Sequence, residues 1–69
     1  MAWRYTYRAS TTFEHDLQPP QTDRREIVAP NASSAARRAV EGARRTFPGS
    51  RPRSIVVVLE VLSRTQATP

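Results

Sequence analysis

The cations of this chain are all of one kind. Eleven residues are Arg and none is Lys, against six Asp and Glu, which gives a formal charge of +5. Six of the arginines crowd into one stretch: Arg37, Arg38, Arg44, Arg45, Arg51 and Arg53, with Glu41 the only acid between Asn31 and Arg53. A planar guanidinium meets phosphate or carboxylate oxygens two at a time, so this cluster suits an acidic macromolecule, protein or nucleic acid. Phosphate contact through it would be salt-sensitive and largely indifferent to sequence. No Asn or Gln lies among residues 37–53 to read base edges, and the spacing fits no reader motif. The plainer account is a solvated helix face, since Arg is a good helix former. Arg to the exclusion of Lys is also what a GC-rich bacterial or phage genome produces, along with Ala and Pro.

Catalytic chemistry has little to stand on. His15 is the only histidine and sits between Glu14 and Asp16, close to Pro19-Pro20. Adjacent residues do not readily converge on one metal ion, and with no cysteine the usual ligand sets cannot be assembled. The two glycines, Gly42 and Gly49, make no phosphate-cradling loop, and no Ser-His-Asp arrangement has its nucleophile on a strained elbow. His15 reads as a solvated loop residue. The expectation is a protein that is not an enzyme, with no cofactor, no metal and no small-molecule substrate.

The elements that must carry these residues follow from periodicity. Trp3, Tyr5, Tyr7, Ala9, Thr11 and Phe13 alternate with Arg4, Thr6, Arg8, Ser10 and Thr12, the pattern of a half-buried strand. It is clearest at its start and fades after Ala9. Residues 14–23, with Pro19-Pro20 and an isolated Leu17, read as an exposed loop. A short strand follows over residues 24–29, with Ile27 and Ala29 on one face and Glu26 and Val28 on the other. Asn31 is a good helix N-cap. Apolar residues then recur at 32, 35, 36, 39, 40, 43 and 47, the stripe of an amphipathic helix that Pro48-Gly49 ends. Arg37, Arg38, Arg44 and Arg45 fall off that stripe. Residues 53–63 form the last strand and 65–69 a frayed tail.

The expected fold is therefore α+β, in the order β-β-α-β, with one amphipathic helix on a three-stranded, mostly antiparallel sheet. The first strand belongs in the middle, and a right-handed crossover joins the second strand to the third. The helix should cover the face holding Trp3, Tyr5, Tyr7, Ile27, Ile55, Val57, Leu59 and Val61, with Trp3 at the margin. The aromatics belong there, because turning that face outward would desolvate Arg4 and Arg8 beneath the helix.

The opposite face carries a second candidate surface. Val56, Val58 and Leu62 lie there with Arg4 and Arg8, although a sheet covered on one side should leave its other face to water. An apolar patch of that kind marks an interface, for a homodimer or another protein. The alternative is that Leu17 or the tail wraps it. A chain of 69 residues is one small domain (1–69), and nine alanines among its apolar residues make for a thin core that self-association would reinforce. The longest apolar run, Ile55–Leu59, is far too short to span a bilayer. Met1-Ala2-Trp3-Arg4 offers no apolar region of a secretory signal, so a cytoplasmic location is expected.

Overall fold

A computed structural model describes residues 3–66. Strand β1 (Trp3–Glu14), strand β2 (Gln21–Ala29), helix α1 (Ala32–Thr46) and strand β3 (Ser54–Gln66) follow in that order. The sheet runs β2-β1-β3, antiparallel at both seams, so the α+β, β-β-α-β expectation holds with β1 in the middle.

Two boundaries and the depth of burial differ from the sequence reading. The β1–β2 hairpin zips further than its polar residues suggest: Thr12 pairs with Thr22 and Phe13 with Gln21, leaving only residues 15–20 as the loop. The Thr12 and Thr22 hydroxyls hydrogen-bond across the ladder at 3.0 Å, a polar cross-strand pair of the kind that stabilises a sheet. Secondly, Thr65 and Gln66 belong to β3 and pair with Arg4 and Trp3, while residues 67–69 of the expected tail lie outside the described residues. Finally, burial in β1 deepens toward its end rather than its start. Tyr7, Ala9, Thr11 and Phe13 are buried, whereas Trp3 is 40% exposed, with the Arg64 guanidinium 4.6 Å over its ring.

The reason lies in the lengths. Twelve strand residues extend about 40 Å and fifteen helical residues about 22 Å, inside a molecule measuring 47 × 18 × 15 Å. One helix cannot cover the whole sheet. Its buried face is Ala35, Ala39, Gly42 and Ala43, small enough to bring the helix close to Tyr7, Ala9, Ile27 and Ala29. It packs chiefly on β2 and β1. Val57 and Leu59 of β3 are only half-buried, and Val61, expected beneath the helix, is 56% exposed. A bulge adds to this: Tyr7 pairs with Val61 but Thr6 pairs with Ser63, so Leu62 is an extra residue in β3.

Helix ends are well specified. The Asn31 Oδ1 accepts from the Ser34 amide at 2.8 Å, as the N-cap expectation requires. After Phe47, the turn through Pro48 places Gly49 at φ +80°, a conformation that favours glycine.

One core feature runs against the fold's interest. Thr11 is fully buried between Asp23 and Val57, and its hydroxyl has no hydrogen-bond partner among the described residues. A buried unsatisfied hydroxyl costs about 1–3 kcal/mol. Thr11→Val, which keeps the shape and β-branching, is expected to raise the unfolding free energy by about 1 kcal/mol in urea denaturation. A loss of stability in that variant would mean that Thr11 has a polar partner in solution.

Candidate interaction surfaces

The helix arginines lie where the periodicity places them. Arg44, Arg37, Arg45 and Arg38 span an arc of about 120° opposite the buried alanines, and all four are exposed. Their surroundings differ. Arg38 donates to the Val28 carbonyl of β2, so its guanidinium is tied to the sheet. In the loop before β3, Arg53 pairs with Asp16 at 3.3 Å. Arg37, Arg44, Arg45 and Arg51 have neither a hydrogen bond nor an ion pair among the described residues. Glu41 sits at the middle of the arc, three or four residues from each of Arg37, Arg38, Arg44 and Arg45, and is bridged to none of them. Arg44 and Arg45 also occupy the last turn, where the helix dipole favours cations.

The expected sheet-face surface separates into two parts. Arg8 lies between Glu26 and Glu60 in the register, and its Nη1 stands 3.6 Å from a Glu60 carboxylate oxygen. Both side chains are more than half exposed, so the pair contributes little to stability. Arg4 lies at the exposed end beside Thr65. Along the open face of β1 run Arg4, Thr6, Arg8, Ser10, Thr12 and Glu14, so the centre of this face is polar throughout. The apolar groups are elsewhere. Val56 (45% exposed), Val58 (61%) and Leu62 (37%) belong to β3 and Val28 lies across the sheet on β2, while the exposed Val61 is in register with Tyr7 on the helix side of the sheet. Leu17 is 97% exposed and covers none of them.

No family model, no curated protein and no solved structure matches this chain. What the surfaces can do therefore rests on their own chemistry.

Sequence reasoning missed two clusters. The first corrects the reading of His15 as a solvated loop residue. Its ring is half-buried, with Nε2 at 2.9 Å from the Gln21 Oε1. The Ser50 hydroxyl donates to the same oxygen at 2.8 Å and lies 3.3 Å from His15 Nε2. An amide oxygen only accepts, so both His15 Nε2–H and the Ser50 hydroxyl proton point toward it. An Nε2 that carries a proton cannot take one from Ser50, and this Ser-His contact is a structural tie between two loops. It borders a cavity of about 370 Å³ lined also by Asp16, Leu17, Gly49 and Arg51.

The second cluster joins the sheet to the end of α1. Asp23, nearly buried, accepts from Arg25 Nε at 2.7 Å and Nη2 at 3.1 Å. Arg25 Nη2 also donates to the Thr46 hydroxyl at 3.1 Å. The Thr46 hydroxyl in turn lies 3.1 Å from both Asp23 Oδ1 and the Gly42 carbonyl, which share its single proton. Arg25's hydrogen bonds hold the Asp23 carboxyl below its ordinary range against the opposing effect of burial, with Thr46 assisting. The four consecutive charges Asp23-Arg24-Arg25-Glu26 give no sign in the sequence that one of them is buried. Among the described residues, no helix is long and apolar enough to cross a membrane.

Proposed function

We propose that this chain is a small, non-enzymatic, cytoplasmic binding protein that engages an acidic macromolecule through α1 and a protein through β3. The observation that carries the reading is the set of exposed, unpaired guanidiniums of Arg37, Arg44 and Arg45 opposite the buried helix face, with the exposed, unpaired Arg51 in the loop that follows the helix. Fixed positive charge without internal partners is free to pair with an external anion. Glu41, central to the arc, favours a partner with discrete carboxylates over a uniform polyanion, because it repels any anion laid along the whole ridge.

Nucleic acid is the second reading, supported by the same unpaired arginines. Salt separates the two. Four phosphate contacts would weaken binding about a hundredfold between 50 and 200 mM salt. Fluorescence anisotropy with labelled duplex DNA, single-stranded DNA, RNA and an Asp/Glu-rich peptide measures this directly. Peptide binding that drops at least tenfold in Arg44→Gln/Arg45→Gln, with nucleic acids bound no better than a neutral control, is the expected result. Micromolar nucleic-acid binding with a logarithmic salt slope near −3.6 moves the second reading to the front. No binding to any probe at 50 mM salt removes both.

A further inference from the structure

The two edges of this sheet are built differently. Strand β2 carries four consecutive charges, Asp23, Arg24, Arg25 and Glu26, lies between Pro20 and Pro30, and has a carbonyl occupied by the Arg38 guanidinium. Those are the devices that keep a sheet edge from pairing with another strand. Between Ser54 and Val61, strand β3 has no run of charges and no occupied carbonyl, and Pro52, the bulge at Leu62 and Arg64 all lie outside that stretch. From Ser54 to Ser63 it reads S-I-V-V-V-L-E-V-L-S, with the single charge Glu60 already facing Arg8. Apolar residues on both faces are the pattern of a strand buried in the middle of a sheet, yet β3 stands at the edge.

We infer that β3 pairs edge to edge with β3 of a second copy of this chain, antiparallel about a two-fold axis, to form a six-stranded sheet. The inference rests on the proposed protein-binding role of β3 and names its occupant. Self-complementarity is the reason for choosing a second copy. In a register centred on Val57, Val56 lies beside the partner's Val58 and Ile55 beside the partner's Leu59, with Ser54 meeting the partner's Glu60 at each end. Every apolar position between Ile55 and Leu59 then has an apolar neighbour, and no like charges oppose one another. The whole stretch precedes the bulge at Leu62, so the pairing is regular.

Charge agrees with this seam. Each chain carries +5, but the free arginines of α1 point away from the sheet, so two copies meet along their least charged strand. Strand β3 holds 13 of the 64 described residues, ten of them exposed. Face-to-face packing is the poorer geometry, since it would bury the polar row of Arg8, Glu26 and Glu60 along with Ser10 and Thr12. Edge pairing keeps both helices on one side, their arginine ridges on the order of 20 Å apart from the 4.8 Å strand spacing.

Sedimentation equilibrium of the full chain at 1–100 µM decides the matter. The expected wild-type mass is twice the 7.8 kDa of the chain. Val58→Lys is expected to sediment as a folded monomer, because Val58 is 61% exposed and the fold does not need it. Val28→Lys, on the open face but at the other edge, is expected to remain dimeric. A monomeric wild type at 100 µM overturns the inference, and so does a dimer lost in Val28→Lys and kept in Val58→Lys. Should Val58→Lys not fold, Val57→Cys supplies the second test. Mild oxidation is expected to yield a covalent dimer, and a thiol that stays free in a dimeric protein overturns the pairing. None of these outcomes depends on anion binding, so each stands apart from the anisotropy result.

Discussion

Phe13→Ala is expected to leave the chain unfolded at 25 °C. Phe13 is the largest fully buried side chain, and its ring meets Phe47 edge-to-face with centroids 5.9 Å apart. Truncating a buried Phe costs about 3–5 kcal/mol through lost transfer energy and the cavity left behind. A single core of this size rarely supplies more than about 3–5 kcal/mol in total, so the substitution removes all or most of the stability. The consequence reaches both ends of the domain, because Phe13 pairs with Gln21 and Ile55 and Phe47 closes α1. Trp3→Ala, at the other end of the same strand, should cost about 1 kcal/mol, since Trp3 is 40% exposed and lies past the core. Far-UV circular dichroism and urea titration of the two variants test the ordering. A Phe13→Ala protein with a cooperative transition within 1 kcal/mol of wild type would show that the core does not centre on this end.

That ordering is where sequence and structure part. Alternation identifies β1 and assigns its aromatic face, and the helix stripe with its Asn31 cap identifies α1 almost to the residue. Those signals are local and periodic. Depth of burial is neither. Trp3 and Tyr5 share the core face by parity, Trp3 at its margin, but burial deepens the other way along β1: Trp3 is exposed and Tyr5 half-buried, whereas Thr11 and Phe13 are fully buried. The same reasoning explains Val61, whose parity is right for the core face and whose exposure follows from where the helix lies. Among the candidate site residues, the exposure of Arg37, Arg44 and Arg45 is legible from spacing alone. Their difference from Arg38 and Arg53 is not, because the partners, the Val28 carbonyl and Asp16, are distant in sequence. His15, Gln21 and Ser50 likewise meet only through the fold.

Gly42→Ala is expected to destabilise the domain in the natural background and to stabilise it once Arg25 is gone. Within a helix, alanine is favoured over glycine by about 1 kcal/mol, but here a methyl group would overlap the Arg25 guanidinium, which packs against Gly42. The end of Arg25 can swing to solvent at little cost to itself. Asp23 cannot follow it, being 8% exposed and fixed in β2. Removing one member of a buried pair costs about 3–5 kcal/mol, and because a third of the Arg25 side chain already meets water, about 2–3 kcal/mol is the expected loss in Arg25→Ala. Gly42→Ala should then lose about 1–2 kcal/mol after the helix gain, while Gly42→Ala/Arg25→Ala should be about 1 kcal/mol more stable than Arg25→Ala alone. Acid acts on the same contact. The folded Asp23 carboxyl titrates below its ordinary 3.8, so its contribution is fully present above that value and fades as pH falls through the folded pKa. Between pH 6 and pH 3, wild type should therefore lose more stability than Asp23→Asn. A double-mutant cycle by urea denaturation at both pH values measures all of this. Additive effects of Gly42→Ala and Arg25→Ala would mean that the guanidinium does not rest on that glycine, and equal acid sensitivity of Asp23→Asn and wild type would place the pH response in other carboxylates.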